Sequence, residues 1–461
     1  MRLSHAVLPA LSANIVQPVG AAGGPTLTIV HLGIGAFHRA HQAWYTELAG
    51  AHSGAADWSI VGVSLRSPAV ADQLNPQQGL YTVAERSAAG TALRVVGSVR
   101  EVLVAEQDPD AVILALADEA TRIVSLTVTE KGYCRAADGT LDHSRADARS
   151  IYRFLQQGLR RRCDAGLSGL TILSCDNLAE NGKTLELLMA EYLQRHDPGL
   201  LDWFATHCTC PSTMVDRIVP ATTAEDRAAI AQALGGVEDE GCVLTEPFSQ
   251  WVIEDRFAGP RPHWDVAGAQ FVADVAPFET AKLRLLNGAH SLLAYCGLAR
   301  GHVFVHEAIA DPELRELTQR MMRKEAAPTI AAATGQDLAT YAEALVARFA
   351  NPALNHRLIQ IAMDGSQKIP QRWLHTLEDN RLAGRPCPAL LHGIAAWLAH
   401  LRGDNFVRYG PVEDPRAAEL ATIIGDKPLG EAAAALFAPG GAMGGVWSIT
   451  PEDASVISGL C

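Results

Sequence analysis

Four short apolar runs, spaced by helical patterns, constrain this chain more than any other feature. They are "TLTIVHL" (Thr26 to Leu32), "SIVGVSL" (Ser59 to Leu65), "RIVSLTVT" (Arg122 to Thr129) and "GLTILSC" (Gly169 to Cys175). A strand with one wet face alternates apolar and polar residues, whereas a strand covered on both faces reads as a nearly continuous apolar run. These runs therefore predict a parallel sheet with a helical layer on each side. The amphipathic stretches between them, including "HQAWYTELAG" and "SIYRFLQQGLRRRC", supply the helices. Alternating strand and helix makes the first half an α/β doubly wound domain.

Beyond Phe278 the texture changes. Leu/Ala-rich helical stretches such as "ELRELTQRMMRKEA", "PALLHGIAAWLAHL" and "LGEAAAALFA" take over, and strand signals almost vanish. A chain of 461 residues is also too long for one ordinary core. The expected division is an α/β domain over residues 1–277 and a mainly α-helical domain over 278–461. The "AGGP" around Gly23 and the "APGGAMGGVWS" near the C-terminus read as loops.

Lys+Arg 38 against Asp+Glu 51 leaves a net charge of −13, which argues against nucleic acid or an anionic membrane as a partner. An anionic small molecule is still allowed, because it needs only a local cation or two. The nine cysteines follow no disulfide-like or zinc-like spacing, and the start has no sustained apolar stretch of a secretory leader. No run reaches the roughly 18 apolar residues of a spanning helix. A cytoplasmic protein, monomeric or a small homo-oligomer, is the expectation. "HCTC" (His207 to Cys210) is only half of a metal site, and no metal is expected.

"VHLGIGAFHRAHQ" follows the first strand and opens a helix. Gly33 and Gly35 match the first two glycines of a dinucleotide-binding turn, one for the tight bend and one for backbone approach to a pyrophosphate. His38 stands at the third position, so an ordinary βα turn remains an equal alternative on this motif alone. His38, Arg39 and His41 either lie near phosphates or are solvated residues of the first turn. No acid follows the second strand closely. Arg66 stands there instead, able to stack on adenine or meet a 2′-phosphate, which leaves NAD and NADP both open.

"KLRLLNGAH" (Lys282 to His290) places three polar groups among leucines. At about 100° per residue of an α-helix, Asn287 falls about 140° and His290 about 80° from Lys282, all on one side. A lysine among apolar neighbours has its charged form disfavoured and suits general base work near neutral pH. An amide donates to an oxygen that gains charge. A histidine holds a substrate hydroxyl or orients the lysine. An Asn-Gly pair inside a leucine helix costs helix propensity, so it calls for a reason.

K-x4-N-x2-H, together with "GIGAFHRAHQA", "TVTEKGY", "SCDNLAENG", "PSTMVDRIVP", "EPFSQWVIED" and "DGSQKIPQR", resembles the polyol-specific long-chain dehydrogenases, the mannitol dehydrogenase family. The resemblance covers most of the chain. It implies a metal-independent NAD(P) oxidoreductase, with a Rossmann-like N-terminal domain, a helical C-terminal domain and an active site between them. It further implies Lys282 as acid/base, Asn287 and Asn177 as the oxyanion hole, and His290 on substrate hydroxyls. Glu279 would pass protons to solvent, and Asp216 and Lys368 would line the substrate pocket. Gly33, Gly35, Phe37, Arg66 and Glu130 are the candidates on the cofactor side, and NAD is the expected cofactor, with NADP not excluded.

The substrate is expected to be a sugar acid or a polyol. Lys131, in "TVTEKGY", stands where mannitol dehydrogenases carry glycine, and a lysine there either pairs with a carboxylate or is a solvated loop charge. Lys368 and Arg372 point the same way, towards a keto-sugar acid of the fructuronate type rather than mannitol or fructose. A nucleotide-binding sensor that lost its chemistry is one rival class, but it would have no need of Lys282; a zinc-dependent polyol dehydrogenase is the other.

Overall fold

The computed structural model describes residues 1–19, 27–53, 57–146 and 149–460. The "AGGP" stretch and Thr26, the first residue of the first expected strand, lie outside them. The chain divides into two compact units, Met1–Val275 and Ala276–Cys461, two residues short of the expected boundary.

In chain order the strands of the first unit are β1 (Leu27–Leu32), β2 (Trp58–Ser64), β3 (Tyr81–Ser87), β4 (Gly90–Val96), β5 (Val99–Val104), β6 (Thr121–Leu126), β7 (Thr171–Ser174), β8 (Thr213–Asp216), β9 (Val243–Thr245), β10 (Gln250–Glu254) and β11 (Gln270–Val272). The main sheet has the order β5-β2-β1-β6-β7, and every pairing in it is parallel. The sheet runs outward one way from β1 through β2 and the other way through β6. The crevice outside the carboxyl ends of β1 and β6 is thus the switch point where open α/β sheets bind ligands.

The continuous apolar runs are explained by a core on each face. Val30, Val61, Val124 and Ile172 point into one cluster, under the helices Pro109–Ala117, Ile151–Asp164 and Asn181–His196. Their neighbours Ile29, Ile60, Ile123 and Leu173 point into the other, with Ala43, Tyr45 and Ala49 of the helix Gln42–Ser53. A period of two sends alternate side chains to opposite faces. Because both faces are dry, the sequence shows no alternation.

Two small mixed sheets accompany the main one, β4-β3-β9 and β11-β10-β8. β9 and β11 are three residues each, too short for any period to register. "RIVSLTVT" ends as a strand at Leu126, and Thr129 beyond it is left-handed, with φ +63°.

The second unit has no strand among the described residues. Its centre is the helix Gly288–Ala299, buried along nearly its whole length, with the helix Pro388–Arg402 against it. Three π-helical stretches interrupt its helices: Lys282–Asn287, Met321–Ala326 and Pro370–Leu374. In the last, a proline follows directly on the helix Gly365–Ile369, where it has no N–H to donate and crowds the preceding turn. No helix among the described residues is long and apolar enough to cross a membrane.

Candidate active site

The glycine turn sits at the switch point. Gly33 and Ile34 donate their amides to Val63 O at 2.9 and 3.1 Å, and Thr127 Oγ1 donates to Gly33 O at 2.8 Å. Gly33 has φ +97°, and a Cβ on it would fall 2.2 Å from Thr127 O. Only glycine fits, for reasons internal to the fold. Gly35 is different. A Cβ there would meet only Gly33 O at 3.8 Å, so packing does not demand its missing side chain. That open space lies before the helix Ala36–Ala40, where a dinucleotide-binding turn brings its backbone against a pyrophosphate. The turn therefore fits a dinucleotide.

The three basic residues after the turn are neither phosphate ligands nor solvated, contrary to both expectations. The His38 ring stacks on His31 at 3.4 Å between centroids. Arg39 donates to Gly241 O at 2.6 Å, and His41 Nε2 lies 3.1 Å from Gln250 O. All three are buried. The helix breaks at His41 and restarts at Gln42, which turns these side chains into the domain. Phe37 is half-buried, with its ring on His41 at 4.9 Å, and Arg66 is exposed just after β2.

At the carboxyl ends of β6 and β7 the structure reveals a residue that pattern reading missed. The buried Asp176 carboxylate accepts from Val128 N at 2.9 Å, Thr129 N at 2.8 Å and the Tyr133 hydroxyl at 3.0 Å. Burial pushes its carboxyl up, against the pull of those donors. The clamp fixes a β-branched residue in the left-handed region, strain of the sort that gathers at functional sites. Glu130 and Lys131 follow at once, both exposed, and Asn177 stands exposed beside the clamp. An aspartate directly before the asparagine in "SCDN" was the available signal. Asp216 ends β8, buried. Tyr133 and Trp251 are buried core aromatics, and the Cys208 and Cys210 thiols of "HCTC" are buried and pushed up, Cys208 to about 11.

In the second unit Glu279, Lys282, Asn287 and His290 share one unbroken helical segment. The geometry differs from a regular α-helix, because Lys282–Asn287 is a π turn whose Gly288 N–H reaches back to Leu283 O. An i→i+5 turn rotates less per residue, so Asn287 comes round closer to the Lys282 line than about 140°. Single π turns recur at functional sites. Leu285 and Leu286 anchor the turn in the core, while Arg284 is tied outward to Asp379 at 2.6 Å and Thr329 O at 3.0 Å.

The third π stretch, Pro370–Leu374, supports the first. Arg372 Nη1 donates to Ser291 Oγ at 2.8 Å and Asn287 O at 3.4 Å, and Trp373 Nε1 donates to Gly288 O at 3.0 Å. Lys368, one turn before Arg372, donates to Met363 O at 2.6 Å and has its pKa lowered by burial and then by Arg372. His290 is half-buried between Phe349, 4.7 Å away, and His356, 5.3 Å away. Burial first, then the nearby His356, Arg348 and Arg372, holds its imidazole neutral, well below the usual range. A neutral imidazole both donates and accepts, as a substrate hydroxyl requires.

One unit thus carries a dinucleotide-type turn at its switch point, and the other a π-helical segment bearing lysine, amide and imidazole. That combination defines a dehydrogenase of the two-domain type. Residues 27–266 match the mannitol dehydrogenase Rossmann domain and residues 274–432 the mannitol dehydrogenase C-terminal domain. The D-mannonate oxidoreductase of Escherichia coli (strain K12) is 44% identical over 411 residues, 86% of this chain and 84% of that protein. A D-sorbitol dehydrogenase solved in substrate-free form is 35% identical, with TM-score 0.83 over 87% of this chain and 86% of its own. The Pseudomonas fluorescens mannitol 2-dehydrogenase, solved as a ternary complex with NAD and D-mannitol, is 34% identical, with TM-score 0.78 over 100% and 96%. The chain belongs to the mannitol dehydrogenase family and is an oxidoreductase.

Proposed function

We propose that this protein is an NAD-dependent dehydrogenase that interconverts a keto-sugar acid and its alcohol, of the D-fructuronate to D-mannonate type. The observation that carries the reading is the π turn, which presents Lys282 and Asn287 on one short arc with a neutral His290 following. Similarity to a D-mannonate oxidoreductase at 44% identity supports the sugar-acid form. Interconversion of D-mannitol and D-fructose is the second reading, favoured by the likeness to a mannitol 2-dehydrogenase.

In this reading Gly33, Gly35, Phe37, Arg66 and Glu130 hold the dinucleotide, whose nicotinamide supplies or accepts the hydride. Asn177 and Asn287 donate to the substrate oxygen as it gains charge. Lys282 gives that oxygen a proton during reduction and removes it during oxidation. Glu279 passes the proton between Lys282 and solvent. His290 holds a neighbouring hydroxyl, and Asp216, Lys368, Arg372 and Lys131 surround the remainder of the sugar.

Steady-state assays of D-fructuronate and D-fructose with NADH and NADPH test the reading. Preference for D-fructuronate with NADH is the expected result. Lys282→Met is expected to lower kcat by at least about a thousandfold with NADH binding retained, in line with the loss of a general acid/base and a positioned charge. Intact turnover in that variant would overturn the mechanism.

A further inference from the structure

The three π stretches of the second unit interlock. Lys282–Asn287 packs against both of the others, Met321–Ala326 and Pro370–Leu374. Side chains from one segment bond the backbone of the next: Arg372 and Trp373 donate to Asn287 O and Gly288 O, and Asn380 Nδ2 donates to Glu325 O at 2.7 Å. Arg284 stands where the three meet. Two residues after Lys282, its Nη1 donates to Asp379 Oδ2 at 2.6 Å and to Thr329 O at 3.0 Å. Thr329 closes the 3₁₀ turn that follows the second π stretch, and Asp379 lies in the helix that continues the third. One guanidinium nitrogen thus ties the start of the first stretch to the ends of the other two, while Arg372 and Trp373 tie its far end.

We propose that Arg284 is a positioning residue for Lys282: its bonds to Asp379 and Thr329 hold the π register that keeps the lysine close in angle to Asn287. The inference rests on the acid/base role proposed for Lys282 above. At 3.6 residues per turn, five residues separate two side chains by about 140°, and the wider π turn by less. Released from its tie, the turn is free to return to the α register and swing the amine away from the amide. A misplacement of about 1 Å costs a reacting pair up to about a hundredfold in rate. The loss falls on the chemical step, because Arg284 spends Nη1 on two partners inside the second unit.

The test measures single-turnover oxidation of NADH by stopped flow, with enzyme in excess over NADH and saturating D-fructuronate or D-fructose, beside steady-state KM values. Under those conditions the rate constant reads the chemical step and does not depend on the folded fraction. Arg284→Met is expected to lower it by about ten- to hundredfold, with KM for sugar and NADH within about threefold. Arg284→Lys, which keeps a positive charge facing Asp379, is expected to recover part of the loss. A tie that serves only the fold would lower the urea midpoint and leave the rate constant at the wild-type value, and that result refutes the assignment. Should Arg284→Met fail to fold, Asp379→Asn decides: Asp379 is half-exposed and the amide keeps an acceptor oxygen, so a smaller fall in the same rate constant is expected, and none refutes the tie. Unchanged rates in the Arg284 and Asp379 variants, with Lys282→Met inert, leave the function standing. Intact turnover in Lys282→Met overturns that function and the role of Arg284 with it.

Discussion

Arg372 holds the backbone of Asn287. Its Nη1 reaches the Asn287 carbonyl at 3.4 Å and the Ser291 hydroxyl, one helical turn on, at 2.8 Å. A π turn leaves carbonyls out of the regular ladder, and this guanidinium takes up one of them where the site amide is carried. Arg372→Lys keeps the charge, but its shorter side chain does not carry a donor to the place of Nη1, which makes both bonds. A hydrogen bond from a charged donor contributes about 1.5–3 kcal/mol, so kcat is expected to fall by about tenfold or more. The deficit belongs in kcat even for an uncharged substrate, since the amide serves the reacting oxygen. A change confined to KM for acids would mean that Arg372 only binds the substrate.

The two glycines of the turn are expected to separate on mutation. Gly33→Ala forces a Cβ to within 2.2 Å of Thr127 O at φ +97°, a clash with backbone that cannot yield. Loss of about 2–4 kcal/mol of stability or failure to fold is expected. Gly35→Ala points its methyl into open space and is expected to keep stability within about 1 kcal/mol. Its effect belongs to the cofactor, with KM for NADH raised roughly tenfold by lost backbone approach. Urea unfolding and NADH titration of the two variants decide this, and unchanged NADH affinity in Gly35→Ala would remove the pyrophosphate from that space.

Asp176 acts through the loop it clamps. In Asp176→Asn one carboxylate oxygen becomes an NH2 facing the Val128 or Thr129 amide, both of which are donors. One partly buried N–H is left without its acceptor, costing about 1 kcal/mol. Thr129, held at φ +63° only by its surroundings, is expected to relax and carry Glu130 and Lys131 with it. NADH affinity should weaken about fivefold, in step with that free energy. A drop in stability with NADH affinity intact would show that the clamp serves only the fold.

How much of this was legible in sequence follows from what each signal depends on. The parallel sheet was readable because dryness on both faces writes itself as unbroken apolar runs, and the helical second unit because a three-to-four residue period repeats over long stretches. The π turn was not, since Leu283, Leu285 and Leu286 satisfy an α or a π register equally; only the misplaced Asn-Gly hinted at it. The glycine turn gave Gly33 and Gly35 but not the fate of His38, which depends on His31 lying beneath it. Arg348 lies in the helix Leu338–Phe349 and His356 in the loop before the helix Leu358–Ala362, and only folding brings the His356 ring to 5.3 Å from His290.

The buried imidazole pair under the turn sets an acid limit on stability. His31 bonds Ser125 Oγ through Nδ1 and Thr127 Oγ1 through Nε2, both at 2.8 Å, and burial lowers its pKa to about 3. The unfolded chain binds this proton near pH 6.5, the folded one only near 3, so protonation favours unfolding. The stabilising effect is complete above pH 6.5 and is lost progressively as pH falls toward 3. The slope approaches about 1.4 kcal/mol per pH unit for one proton, which integrates to about 2.5 kcal/mol between pH 6 and 4. His38, stacked on it and pushed down by burial and then by His31, acts in the same direction. Urea unfolding of wild type and His31→Asn from pH 4 to 6.5 should therefore converge toward acid, with the wild type losing stability more steeply. Parallel curves would mean that His31 takes up no proton when the first unit unfolds.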